Sequence, residues 1–117
     1  MEVMILKLKS GEYIIAIISL KGAYINLLYP VEFTIEFDED IMDQELIMNY
    51  WLPINFVEEQ AVNIPKTDIS FICTPKKAFK EFYLNFLDET KDIDSISKSL
   101  IHSMLNTIDN IDLSKYH

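Results

Sequence analysis

The sequence predicts a small, mainly β domain followed by amphipathic helices, and three observations carry that prediction. Short runs of strand-forming residues succeed one another through the first two thirds of the chain, the first of them separated by glycines at hairpin spacing. One of the runs, Val31 to Phe37, alternates apolar and polar residues with period 2. Beyond Thr74 the apolar period lengthens to that of a helix. At 117 residues, half of them hydrophobic, the chain has the size and the apolar content of one domain with its own core.

Val3 to Lys9 and Glu12 to Ser19 are rich in Ile, Leu and Val, and Ser10-Gly11 between them marks a hairpin turn. Both runs are apolar at nearly every position, which predicts strands covered on two faces. Lys21-Gly22 signals a second hairpin, leading into Tyr24 to Phe37 with a break at Pro30. After that proline the alternation places Val31, Phe33, Ile35 and Phe37 inside and Glu32, Thr34 and Glu36 outside. Asp38 to Glu45 reads as an acidic loop. Leu46 to Phe56 resumes strand character, with Trp51 and a Pro53 that bends the strand or holds it at an edge. A turn over Val57 to Ala61 precedes two short apolar pieces within Val62 to Cys73, on either side of Pro65-Lys66-Thr67-Asp68. Short strands at this spacing predict a sandwich or small barrel over residues 1–74.

Thr74 and Pro75 then read as an N-cap followed by proline at the first helical position. Phe79, Phe82, Tyr83, Phe86 and Leu87 fall on one stripe of a helix within residues 75–90, a face suited to packing on the barrel mouth or on a neighbouring subunit. A charged link, Asp88 to Asp94, separates it from a tail, residues 91–117. There Ile96, Leu100, Ile101, Met104, Leu105 and Ile108 form a second amphipathic face, capped by Asp94 or Ser95. A helix this short is marginal alone and needs a surface to pack on.

Ten basic residues against nineteen acidic ones give a net charge of −9, and every basic residue is a lysine. The absence of arginine removes the side chain best suited to bidentate phosphate contact and to base stacking. No lysine lies between Gly22 and Pro65, where nine carboxylates occur. Tight binding to duplex DNA is therefore not expected. Nor is an enzyme. His102 and His117 both fall in the tail, without a spaced nucleophile partner. Cys73 lies within an apolar strand and reads as a buried small hydrophobe, and as a lone cysteine it forms no internal disulfide. The two glycines are eleven positions apart, so no phosphate-cradling loop exists, and no cofactor is implied. The cluster Glu36, Asp38, Glu39, Asp40 and Asp43 lacks the glycine and the spacing of a calcium loop and reads as a solvated loop. With no signal-like start and no apolar run near ~20 residues, the expectation is a cytoplasmic protein that does not enter a membrane.

Several segments carry a family likeness. Leu6-Lys7-Leu8-Lys9-Ser10-Gly11-Glu12 with Ile14-Ile15-Ala16 forms a first hairpin. Tyr24-Ile25-Asn26-Leu27-Leu28 sets an asparagine between apolar residues, and Trp51-Leu52-Pro53 and Ile64-Pro65-Lys66 with Asp68-Ile69 follow in order, then the Phe79 to Leu87 helix. This order resembles the Sm-like (Lsm) superfamily, in particular the small Sm-like proteins encoded by tailed bacteriophages, over residues 3–87. The resemblance implies a small barrel of about five antiparallel strands with one or two C-terminal helices. It also implies a homo-oligomeric ring joined by edge-strand pairing, and a host cytoplasm as the setting. Its RNA-holding positions fall on Tyr24, Asn26 and Lys66, which implies binding of single-stranded RNA. Ala23 stands where Sm proteins that hold RNA usually carry aspartate, and Pro65-Lys66 stands where they carry Arg-Gly or Lys-Gly. The implied RNA binding is accordingly weak or vestigial, and the alternative is a protein-interaction or scaffold module with no nucleic acid. Lys7, Lys9, Lys76, Lys77 and Lys80, with Tyr13 and Tyr24, make a second, more diffuse candidate surface.

Overall fold

A computed structural model describes residues 1–40, 42–89 and 100–105. Six strands, β1 (Glu2–Leu8), β2 (Tyr13–Lys21), β3 (Tyr24–Asp38), β4 (Asp43–Tyr50), β5 (Ala61–Pro65) and β6 (Ile69–Cys73), precede one helix, α1 (Lys77–Asp88). A single 3-10 turn, Lys66–Asp68, joins β5 to β6. Residues 100–105 are also helical. The chain divides into two compact units, Met1–Thr74 and Pro75–His117. No helix among the described residues is long and apolar enough to cross a membrane.

All strand pairings are antiparallel, in the order β4-β3-β2-β1-β6, with β5 also lying along β3. The fold is mainly β, with one strand more than the five expected. The sheet is open: among the described residues no ladder joins β6 to β4 or β5.

The two N-terminal hairpins form as their turn residues predict. Gly11, at φ 108, closes the first, where its amide donates to the Leu8 carbonyl at 2.9 Å. Gly22, at φ 62, opens the two-residue loop Gly22-Ala23 of the second, a position that favours glycine because a Cβ resists left-handed backbone. β2 sits between β1 and β3, and its run Ile14 to Ile18 is buried at every residue. That is the two-faced burial its unbroken apolar pattern predicts. One sheet face holds a core cluster, with Leu6, Leu8, Ile14, Ala16, Ile18, Ile25, Leu27 and Ile64 packed together and Trp51 and Val62 against them.

β3 changes partners half-way. Tyr24 to Leu28 pairs with β5 on one side and β2 on the other, whereas Val31 to Asp38 pairs with β4. At the junction Tyr29 takes φ 49 and the β2 register shifts, so Leu28 opposes Ile17 and Val31 opposes Ile15. This is a bulge, and it lets one strand serve two neighbours in succession.

Five expectations need correction. Val31 and Phe33 are buried as the alternation predicts, but Ile35 and Phe37 are exposed, since β2 pairing ends at the Ile14–Glu32 pair. The acidic segment is mostly strand: β3 runs on to Asp38 and β4 starts at Asp43, leaving a short turn in which Asp38 accepts from the Asp40 amide. Leu46 to Phe56 is not one strand, because β4 ends at Tyr50 and the chain turns at Pro53, whose carbonyl accepts from Phe56 and Val57. Cys73 is exposed, as are Phe71 and Ile72, because among the described residues β6 pairs only with β1 and forms the sheet's margin. Finally, α1 starts at Lys77 after Lys76, still extended at ψ 147, with no side-chain cap. Its buried residues are Tyr83, Leu84 and Leu87, while Phe82 faces solvent. Leu100, Ile101, Met104 and Leu105 are described and Ile101 is buried; Ile96, Ile108 and the Asp94 or Ser95 cap lie outside the described residues.

Candidate functional site

The sequence places Tyr24, Asn26 and Lys66 in two segments about forty residues apart, and the β3–β5 ladder brings those segments together. Tyr24 lies opposite Pro65, Ile25 opposite Ile64, and Asn26 opposite Asn63. The Lys66 amide donates to the Ala23 carbonyl at 3.0 Å, extending the pairing to the loop that precedes β3. Alternation then separates the two faces. Ile25 and Ile64 point into the core, and Tyr24 and Asn26 share the opposite face.

On that face Asn26 Nδ2 donates to Asn63 Oδ1 at 2.9 Å. Each amide retains further donor and acceptor capacity, because an Asn side chain carries two donors and two lone pairs. β2 completes the row from the other side, with Lys21 opposite Tyr24 and Ser19 opposite Asn26. Tyr24 is half exposed, and Lys21, Asn63 and Lys66 are exposed. An exposed ring and two paired amides thus share one face at one end of the sheet, with Lys21 across the ladder from Tyr24 and Lys66 next to its partner Pro65 in sequence. Such a set can stack a planar group, bond its polar edge and neutralise a phosphate or two.

Asn63 and Lys21 escape the sequence reading. The signal for Asn63 is present, since Val62-Asn63-Ile64 repeats the apolar-Asn-apolar pattern of Ile25-Asn26-Leu27. Only the register shows that the two asparagines face each other.

Within the first unit the strand residues of the more diffuse surface fall in separate places. Tyr13 begins β2 and Tyr24 faces its last residue, so the two tyrosines stand at opposite ends of that strand. Lys7 lies over the Tyr13 ring at 5.1 Å, and Tyr13 in turn neighbours Phe33 and Phe71 at 5.8 and 6.3 Å. Lys9 falls beyond β1 and lines a separate open cleft of about 330 Å³ with Leu8, Ser10, Glu12, Trp51, Ile64 and Asp68. Among the described residues no group of three or more His, Cys, Asp or Glu is placed to hold a metal ion. His102 Nε2 meets Asp88 Oδ1 within the second unit, a contact that joins the 100–105 helix to the end of α1.

No protein-family model matches the chain, and no curated protein is detectably similar to it.

Proposed function

We propose that the chain is an Sm-like β domain that assembles into a homo-oligomeric ring through its open strand edges and binds single-stranded RNA weakly at Tyr24, Asn26 and Lys66. The observation that carries the reading is the β3–β5 ladder, which puts the segments resembling the two Sm signatures side by side. In this reading Tyr24 stacks on a base, the Asn26–Asn63 pair meets its polar edge, and Lys21 and Lys66 neutralise the backbone. Among the described residues no further strand lies along the outer edges of β4, β5 and β6, which leaves these edges open to backbone pairing between copies.

Two lysines neutralise few phosphates, so affinity should fall with salt along a shallow slope, about two charges' worth. The test is fluorescence anisotropy of labelled poly-U at low salt. Tyr24→Ala should weaken binding at least about tenfold, in line with the loss of one base–aromatic stack, while Lys9→Ala should leave it unchanged. Equal affinity of wild type and Tyr24→Ala would sink the site.

A second reading, a protein-interaction module with no nucleic acid, is favoured by a different observation: Ile35, Phe37 and Met42 stand exposed at the far end of β3 and in its turn. It expects no poly-U binding at any salt concentration.

A further inference from the structure

The distal half of β3 and the facing part of β4 form a two-stranded arm. Beyond the Ile14–Glu32 pair β2 contributes no further ladder, so Thr34 to Asp38 pairs only with Asp43 to Ile47 among the described residues. Directly opposed residues share a face. Glu36 sits opposite Glu45, and Asp38 opposite Asp43, with Glu32 on the same side. The other face carries Ile35 opposite Leu46, then Phe37. Ile35 is 62% exposed, Phe37 56%, and Met42 in the turn 75%.

Neither face suits an arm that stands alone in water. Like charges directly opposed in a ladder repel, and a row of uncovered apolar side chains is the mark of a contact surface. The charge distribution indicates what covers it. Residues 32–45 hold seven carboxylates and no basic residue, and all ten lysines lie outside 23–64. β3 therefore runs from a cationic end, where Lys21 and Lys66 flank an exposed Tyr24, to an anionic end with an exposed Phe37. The two ends complement each other and stand at opposite ends of one strand, so they meet between copies.

We propose that the arm of one molecule docks on the Lys21–Tyr24–Lys66 end of a second copy of this chain. Ile35 and Phe37 supply the apolar contact, and the carboxylates set orientation, partner choice and salt dependence. The contact is head-to-tail, using different surfaces on the two copies. It is separate from edge-strand pairing, which rests on backbone hydrogen bonds. It also covers the surface proposed to bind RNA, so arm and RNA compete; that consequence alone rests on the nucleotide reading.

Sedimentation velocity tests the docking without any ligand. The wild type should sediment as a larger species at about 50 mM salt than at about 500 mM, where the Debye length falls below the reach of such contacts. Glu36→Lys, Asp38→Lys, Asp43→Lys and Glu45→Lys together, which turn the arm from net negative to net positive, and separately Lys21→Glu with Lys66→Glu, should each hold the protein in the smaller form at both concentrations. An equimolar mixture of the two reversed variants should recover the larger species, because the charges again complement; circular-dichroism melts show that each is folded before mixing. Phe37→Ser should raise the dissociation constant about tenfold, as for loss of one buried apolar anchor. A wild-type size that ignores salt, an arm variant that sediments as wild type, or two folded variants whose mixture stays small would each overturn the proposal. Failure of poly-U binding would overturn the nucleotide reading and leave these sedimentation outcomes as they are.

Discussion

The two halves of β3 share one backbone and a period of two, but the bulge at Tyr29 turns their apolar residues to opposite sheet faces, and the halves live in different surroundings. In the first half Ile25 and Leu27 are fully enclosed, with β2 on one side, β5 on the other and the core beneath. In the second half Ile35 and Phe37 keep the inward-facing phase of Val31 and Phe33, but the neighbouring strand has run out. Period 2 thus reports which side chains share a face and says nothing of whether that face is covered. Coverage is a property of topology, in this chain of where β2 ends.

The sharpest way to break this comparison is to place one charge in each half. Leu27→Asp should leave the domain unfolded at 25 °C, since an unpaired carboxylate in that core costs several kcal/mol against a total stability of about 5–15 kcal/mol. Phe37→Asp should change stability by no more than about 0.5 kcal/mol, as exposed substitutions do. Circular-dichroism melts of both variants decide the matter. A large loss from Phe37→Asp at high salt would mean that the arm is covered within one copy, and the contrast between the two halves would collapse.

The same contrast explains what the sequence made legible. Hairpin glycines and unbroken apolar runs located β1, β2 and the start of β3, because those features act locally. The exposure of Cys73, Ile35 and Phe37 was not legible, because each depends on a strand that fails to continue beside it. For the candidate site, residue type alone nominated Tyr24, Asn26 and Lys66. Asn63 and Lys21 needed the register, which no short-range pattern encodes.

A smaller effect tests the polar face of the first half. Asn26→Ala removes the side-chain bond to Asn63 and should cost about 0.5–1 kcal/mol in urea unfolding, the net worth of one hydrogen bond between groups that water can reach. Asn63→Ala should cost the same, and the double variant no more than either single, because both single changes break one shared bond. A strictly additive double variant would show that the amide pair is not the relevant interaction.

An effect of similar size compares the two turns that bound β3. Gly22, before it, has φ 62, and Met42, in the turn that follows it, has φ 52. Both are left-handed, but only the first is occupied by the residue that adopts this conformation without strain. A Cβ built at Gly22 meets no atom within 4 Å, so the cost of any side chain there is conformational alone. Gly22→Ala should therefore destabilise by about 1 kcal/mol, the usual penalty for a side chain in left-handed backbone. Met42→Gly should release a similar strain and raise stability by up to about 1 kcal/mol, or a few degrees in Tm, measured at high salt so that self-association does not contribute. A methionine kept on a strained and exposed turn, at a position where glycine would be more stable, fits an apolar tip that is used in contact. The same variant should then self-associate less at low salt while melting higher. Stabilisation without any loss of low-salt association would leave Met42 outside the docking contact and confine that contact to Ile35 and Phe37.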